Sequence, residues 1–149
     1  YMLSFFENKG DLEELMRYDP KAEAIGKIES EKGIDFVMKK SNDDLRLMAA
    51  RGDLYMILEK PHRIAEVVEK ILNKDKNAIV ASRILSSLSS RREPSCEDIG
   101  DLDNLLRMGY KTFMFGDDVC FNRESIISAL NIFYLMSKRY SGRKDEKEN

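Results

Sequence analysis

The sequence predicts an α/β fold built from parallel βα units. Short apolar runs alternate with helical segments five times along 149 residues, the pattern of a parallel sheet with crossover helices. The polar and glycine positions Gly52, Asp53, Ser82, Asp117 and Asp118 fall at or just after the ends of the apolar runs. In parallel sheets and βα barrels that is the end of the strand where ligands bind.

Taken in order, Tyr1 to Phe6 is an apolar, aromatic run and the first expected strand, followed by a turn at Glu7 to Gly10. Asp11 is expected to cap the first helix, with Glu14 at the capping-box position and Leu12, Leu15 and Met16 on one face; Asp19 and Pro20 end it. Ala24 to Ile28 is the second strand. Glu31 to Lys40 reads as a short helix whose apolar side is Ile34, Val37 and Met38. Leu45 to Ala50 is the third strand, closing in a tight loop at Arg51, Gly52 and Asp53. Pro61 suits the first turn of the next helix, with Ile64, Val67, Val68, Ile71 and Leu72 as its buried face. Asn77 to Ser82 is the fourth strand. Ile84 to Leu88 begins a helical turn and Ser89 to Glu93 is a polar loop. Ser95 caps a helix carrying Ile99, Leu102, Leu105, Leu106 and Met108, and Gly109 stops it. Lys111 to Phe115 is the fifth strand, and Ile126 to Tyr140 a long amphipathic helix. Residues 141–149 are polar and charged and read as a flexible tail.

The length suits one domain or part of one. A hydrophobic content of 42% supports a core, and a charged fraction of 35% with a net charge of −2 leaves no clustered basic surface for nucleic acid. Cys96 and Cys120 have neither metal-type spacing nor a disulfide framework, which points to a reduced, cytoplasmic setting. No signal peptide is evident and no apolar run reaches membrane-spanning length. The chain opens on Tyr1 inside an expected strand, as a fragment or processed product would. The eight methionines are expected mostly as core fillers. His62, beside Pro61, reads as a surface or capping residue, Asp117 and Asp118 as a polar loop. Arg91 and Arg92 read as a solvated loop that could also help hold a phosphate.

The chemistry concentrates at two strand ends. Lys27 and Glu29 are two residues apart, so in a strand they project to the same face. Asp53 arrives from another strand end. A lysine and two carboxylates converging in this way suit a divalent metal and an anionic substrate. Taken singly, each of the three is ordinary strand-end polarity; taken with their context, they read as a site.

Lys27 to Gly33, followed by Met48 to Leu54, resembles the pyruvate kinase family, which carries a KIEN-x-x-G strand followed by an M-x-ARGDL strand. The match runs from Gly33 to Leu54 without a gap. Ser4 to Leu15 resembles the family's SF-x-R-x-x-x-D-[IV]-x-x-L segment, with Glu7 in the place of Arg and Leu12 in that of Ile or Val. Ala81 to Leu85 is similar to its ATQML strand end, Pro94 to Asp101 to PTRAE-x-SD, and Gly109 to Val119 to the last strand, G-A-D-x-x-M-L-S-G-E-T. The resemblance implies the C-terminal half of a pyruvate kinase-type (β/α)8 TIM barrel over residues 1–140, with five parallel strands, the fourth to eighth of the barrel. The first three strands, the inserted lid and the regulatory domain have no counterpart.

By the same resemblance, Lys27 stabilises the phosphoryl group in transfer, and Glu29 and Asp53 hold Mg²⁺ or Mn²⁺. Ala50, Arg51 and Gly52 correspond to the loop and helix start whose backbone N–H groups bind the substrate carboxylate, and Ser82 replaces a threonine near the substrate methylene carbon. The implied reaction takes phosphoenolpyruvate and ADP to pyruvate and ATP, a transfer that rests on positioning and charge neutralisation. The potassium ligands and much of the nucleotide site belong to strands without a counterpart. The implied partners are therefore the missing barrel half or another protein chain, in an oligomer, with no nucleic acid and no membrane. Several positions depart from the family: Tyr55 replaces a glycine, Arg83 replaces Gln, Gly116 to Val119 replace SGET, and the span from Asp53 to Ser82 is a few residues short. The departures favour a second reading, a catalytically degenerate binding or assembly module. The metal carboxylate pair leaves a third, a metal-dependent lyase or aldolase on a pyruvate-like oxyacid, where it would stabilise an enolate.

Overall fold

The computed structural model describes residues 1–39 and 45–141. Its five strands form one sheet, every pair parallel, in chain order: β1 (Met2–Leu3), β2 (Ile25–Ile28), β3 (Arg46–Ala50), β4 (Ile79–Ala81) and β5 (Thr112–Met114). Between and after them run α1 (Lys9–Tyr18), α2 (Glu31–Lys39), α3 (Arg51–Ile57), α4 (Ile64–Lys74), α5 (Cys96–Met108), α6 (Asp117–Cys120) and α7 (Arg123–Ser141). The chain divides into two compact units, Tyr1–Ser82 with Tyr110–Met114, and Arg83–Gly109 with Phe115–Asn149. All five strands lie in the first.

The register sorts the first unit's side chains. Lys27, Met48, Ile79 and Thr112 stand level across β2 to β5, as do Ala50, Ala81 and Met114 one layer further along. Because side chains alternate along a strand, these residues share one face. On it Met48, Ile79 and Ala81 pack with Ile25 and Met114. The opposite face carries Ile28, Leu47, Ala49 and Val80, all fully buried. α4 packs on β3 and on α2, burying Val67, Val68, Ile71 and Leu72; each such side chain contributes roughly 1.5–3 kcal/mol. Polar groups fix the same elements. The buried Tyr110 hydroxyl donates to the Val68 carbonyl at 2.8 Å, and burial pushes its pKa far up. Asp75, at the end of α4, accepts from the N–H groups of Leu47 and Asn77, each at 2.8 Å. Arg46 donates to the Asn77 carbonyl at 2.7 Å and to the Thr112 hydroxyl at 2.6 Å, clamping the starts of three strands.

In the second unit α5 begins at Ser95, whose hydroxyl accepts from Asp98 N–H at 3.2 Å. It ends at Gly109, where φ of 110° suits glycine. α7 begins at Asn122, which accepts from the N–H groups of Glu124 and Ser125. Ser125 is buried and donates to the Leu88 carbonyl at 2.7 Å. Asp103 on α5 accepts from Arg107 on its own helix and from Arg139 and Tyr140 on α7.

Five strands and the helices α1, α2, α4, α5 and α7 stand where the sequence puts them, with corrected boundaries. The first strand stops at Leu3, because Phe5 takes a left-handed φ of 49°. The first helix starts at Lys9, two residues before Asp11. Its cap is Asn8, whose side chain accepts from Gly10 N–H at 2.8 Å, and Asp11 returns the bond to Asn8 N–H at 3.1 Å. The tight loop read from the residues after the third strand is instead α3, which follows Ala50 directly, as the helix start implied by the resemblance has it. The turn expected at Ile84 is a 3-10 turn at Ser86–Ser89, and Asp117 and Asp118 open the short α6 rather than a loop. Met48 is buried, but Met2 and Met56 are exposed, so the methionines are not uniformly core. The expected tail lies outside the described residues from 142 onward.

Candidate functional site

The carboxyl ends of β2, β3 and β4 carry the residues singled out by the sequence. Glu29 follows β2 by one residue and is only 3% exposed. Its two oxygens are differently held. Oε1 accepts from the Lys27 ammonium at 2.6 Å, and Oε2 accepts from the main-chain N–H of Phe5 at 2.7 Å. The ion pair is the geometry expected of i and i+2 on a strand. A carboxylate this buried needs both a counter-charge and hydrogen bonds, and the site supplies them from two neighbouring strand ends. Lys27 also lies 3.4 Å from the Ser4 hydroxyl.

Ala50 and Ala81 are level partners on β3 and β4, so the first turn of α3 and Ser82 rise from the same end of the sheet. A Cβ on Gly52 would meet Ser82 Cβ at 3.3 Å. The two positions predicted to face the substrate are thus brought against each other, and glycine permits the approach. Ser82 itself has φ of 70°, a strained conformation for a residue with a Cβ. Arg51 is buried, and Asp53 is exposed in the first turn of α3. Among the described residues no ion pair or hydrogen bond ties Asp53 to Lys27 or Glu29.

Sequence reasoning assigned no role to Ser4 and Phe5, yet they complete the surroundings of Lys27 and Glu29. The available signal was a lone serine in an apolar, aromatic run. Glu7, which stands where the related pattern has an arginine, accepts from the Ser30 hydroxyl at 2.6 Å. That bond anchors the start of α2, where Ser30 in turn accepts from Gly33 N–H at 3.0 Å. His62 is exposed in the 3-10 turn Pro61–Arg63. Arg91 and Arg92 belong to the second unit, where they line an open hollow of about 660 Å³ with Ser89, Ser90, Asn122 and Glu124.

As chemistry, Glu29 and Asp53 are hard oxygen donors on adjacent strand ends. No group of three or more His, Cys, Asp or Glu suited to a metal occurs among the described residues. A cation held here would therefore draw its remaining ligands from water or an oxyanion, which is the habit of magnesium. Glu29 and Asp53 are the donor type such an ion takes and do not form a closed protein cage.

The half-buried Lys27 and the buried Glu29 thus pair at the carboxyl end of a parallel βα sheet, the end where ligands bind in such folds. Comparison with known proteins names the relation. The chain is 28% identical to a pyruvate kinase of Methanocaldococcus jannaschii over a stretch covering 87% of this chain and 31% of that protein. Two crystal structures of pyruvate kinase from Cryptosporidium parvum superpose on 93% and 92% of the chain with TM-scores of 0.78 and 0.75, each at 19% identity; they show the fold. No family model matches. The chain spans about a third of the length of these relatives. The resemblance to pyruvate kinase read from the motifs therefore stands in sequence and in fold.

Proposed function

We propose that this chain is the C-terminal barrel half of a pyruvate kinase-like phosphotransferase, moving a phosphoryl group between phosphoenolpyruvate and ADP. The observation that carries the reading is the ion pair of the buried Glu29 with the half-buried Lys27 at the end of β2, beside β3, which ends at Ala50 and passes directly into Arg51, Gly52 and Asp53 of α3. Mg²⁺ or Mn²⁺ held by Glu29 and Asp53 would supply charge neutralisation at the phosphoryl oxygens. Lys27 meets the same phosphoryl group. The first N–H groups of α3, at Arg51 and Gly52, receive the substrate carboxylate, since the start of a helix presents unsatisfied donors. The phosphoryl group leaves the enol oxygen for the terminal phosphate of ADP. The enolate left behind takes a proton at its methylene carbon, beside Ser82, to become pyruvate. The remaining strands of the barrel, from the same polypeptide or a partner chain, supply the rest of the nucleotide site, and the proposed setting is a cytoplasmic oligomer. No helix among the described residues is long and apolar enough to cross a membrane.

A second reading has its own observation. Val119 is fully buried where the related pattern has a threonine, and Gly116, which precedes α6, stands where it has a serine. Loss of those hydroxyls favours a barrel that binds the oxyacid without turning it over.

The test is a barrel completed by co-expressing this chain with the complementary strands of the Methanocaldococcus jannaschii relative. ATP formation from phosphoenolpyruvate and ADP is expected, and Lys27→Ala should abolish it while metal binding persists. ATP formation that survives Lys27→Ala would take Lys27 out of the transfer step. Substrate binding with no turnover in the unmutated complex would favour the second reading.

A further inference from the structure

The ion pair that marks the site also obstructs it. Glu29 has both oxygens engaged, one by the Lys27 ammonium at 2.6 Å and the other by Phe5 N–H at 2.7 Å. Of these two donors only one can leave. The Phe5 donor is main chain at a kinked position, φ 49°, whereas the Lys27 side chain is 23% exposed on a flexible stem. A second acceptor for the ammonium, Ser4 Oγ, already lies 3.4 Å away. A divalent cation and an ammonium on one carboxylate repel each other strongly where water is scarce.

We propose that Lys27 is the resident counter-ion of Glu29, and that a divalent cation enters by displacing it, so that cation binding itself releases the ammonium toward the phosphoryl group. This rests on the reading of Glu29 as a metal ligand given above. Lys27 then has two states. In one it neutralises a buried carboxylate that would otherwise be costly. In the other it swings toward Ser4 and the mouth of the site. The exchange holds the catalytic cation in reserve until the metal is present, and it weakens metal binding by the strength of the ion pair it must break.

The test is Mn²⁺ titration of the 149-residue chain, read by electron paramagnetic resonance of the free ion, on wild type, Lys27→Met, Lys27→Arg and Lys76→Met. Lys27→Met removes the competitor and is expected to tighten Mn²⁺ binding about tenfold or more. Lys27→Arg keeps a cation in place and Lys76→Met removes one exposed charge elsewhere; neither should tighten it. Equal or weaker binding by Lys27→Met overturns the exchange alone. No binding by any variant, wild type included, removes the metal site and the exchange with it. Should Lys27→Met be unfolded on its own, circular dichroism during the titration decides: recovery of the fold with Mn²⁺ supports the exchange, and failure to recover at saturation overturns it.

Discussion

Glu29 is the residue that ties the candidate site together. Its carboxylate joins the β1 end to the β2 end, through Phe5 and Lys27. Replacing it with glutamine keeps the shape and an acceptor but leaves Lys27 without its counter-charge. Glu29→Gln should therefore cost about 2 kcal/mol in urea unfolding, and thermal unfolding should lose any upward shift produced by Mn²⁺. Gly52 makes a second point at this scale. An added Cβ would stand 3.3 Å from Ser82 Cβ, tighter than ordinary contact, against a residue already strained at φ 70°. Gly52→Ala is expected to cost about 1 kcal/mol and to weaken oxyacid binding by more than its effect on stability accounts for, as compared by calorimetry and urea unfolding. That Lys27 and Glu29 share a face was legible in the sequence, because side chains alternate along a strand; their ion pair was not. The Phe5 donor was not legible. It depends on a main-chain kink between two strand ends, which no local pattern announces.

Among the elements, the helices divide into those whose limits the sequence states and those it conceals. Ser95 and Gly109 bracket α5 by cap chemistry and were readable at both ends. Ser95→Ala should cost about 1 kcal/mol through the lost bond to Asp98 N–H, measured by thermal unfolding. α3 was not read from the residues, since seven residues directly after a strand give too short a window for a helical period to emerge. The true cap of α1 was missed because Asn8, Gly10 and Asp11 all suit a turn, and only the reciprocal bonds select Asn8. The pairing of α5 with α7 has a pH signature. Hydrogen bonds from Tyr140 and then Arg107, with the nearby guanidinium charges, hold the Asp103 carboxyl below its usual range. A depressed carboxylate contributes stability that is present above its unfolded pKa and lost as pH falls through its folded one. Asp103→Asn should therefore lower the thermal midpoint at pH 7, and the gap from wild type should close in strong acid. A gap unchanged with pH would remove the ionised carboxylate from the explanation.

On the scale of the whole molecule, the five-stranded order β1 to β5 leaves the outer edges of β1 and β5 unpaired among the described residues. Tyr1, Met2 and Phe5 are exposed beside the first of these edges. Unpaired edges with apolar neighbours promote association. The chain should sediment as larger species with rising concentration, and Met2→Lys should reduce that tendency. The parallel order was legible because βα alternation with short apolar strands admits few other topologies. The division into two compact units was not, since it depends on which distant segments pack together, and the apolar pattern of each helix is silent about its partner.

We propose that Lys27, Glu29 and Asp53 form one metal-assisted oxyacid site. Its most direct test is calorimetric titration of phosphoenolpyruvate into the chain, with and without Mn²⁺, for wild type and Asp53→Ala. Binding that requires Mn²⁺ and disappears in Asp53→Ala is the expected result. Binding that ignores both the metal and Asp53, or no binding by wild type at saturating Mn²⁺, would contradict it.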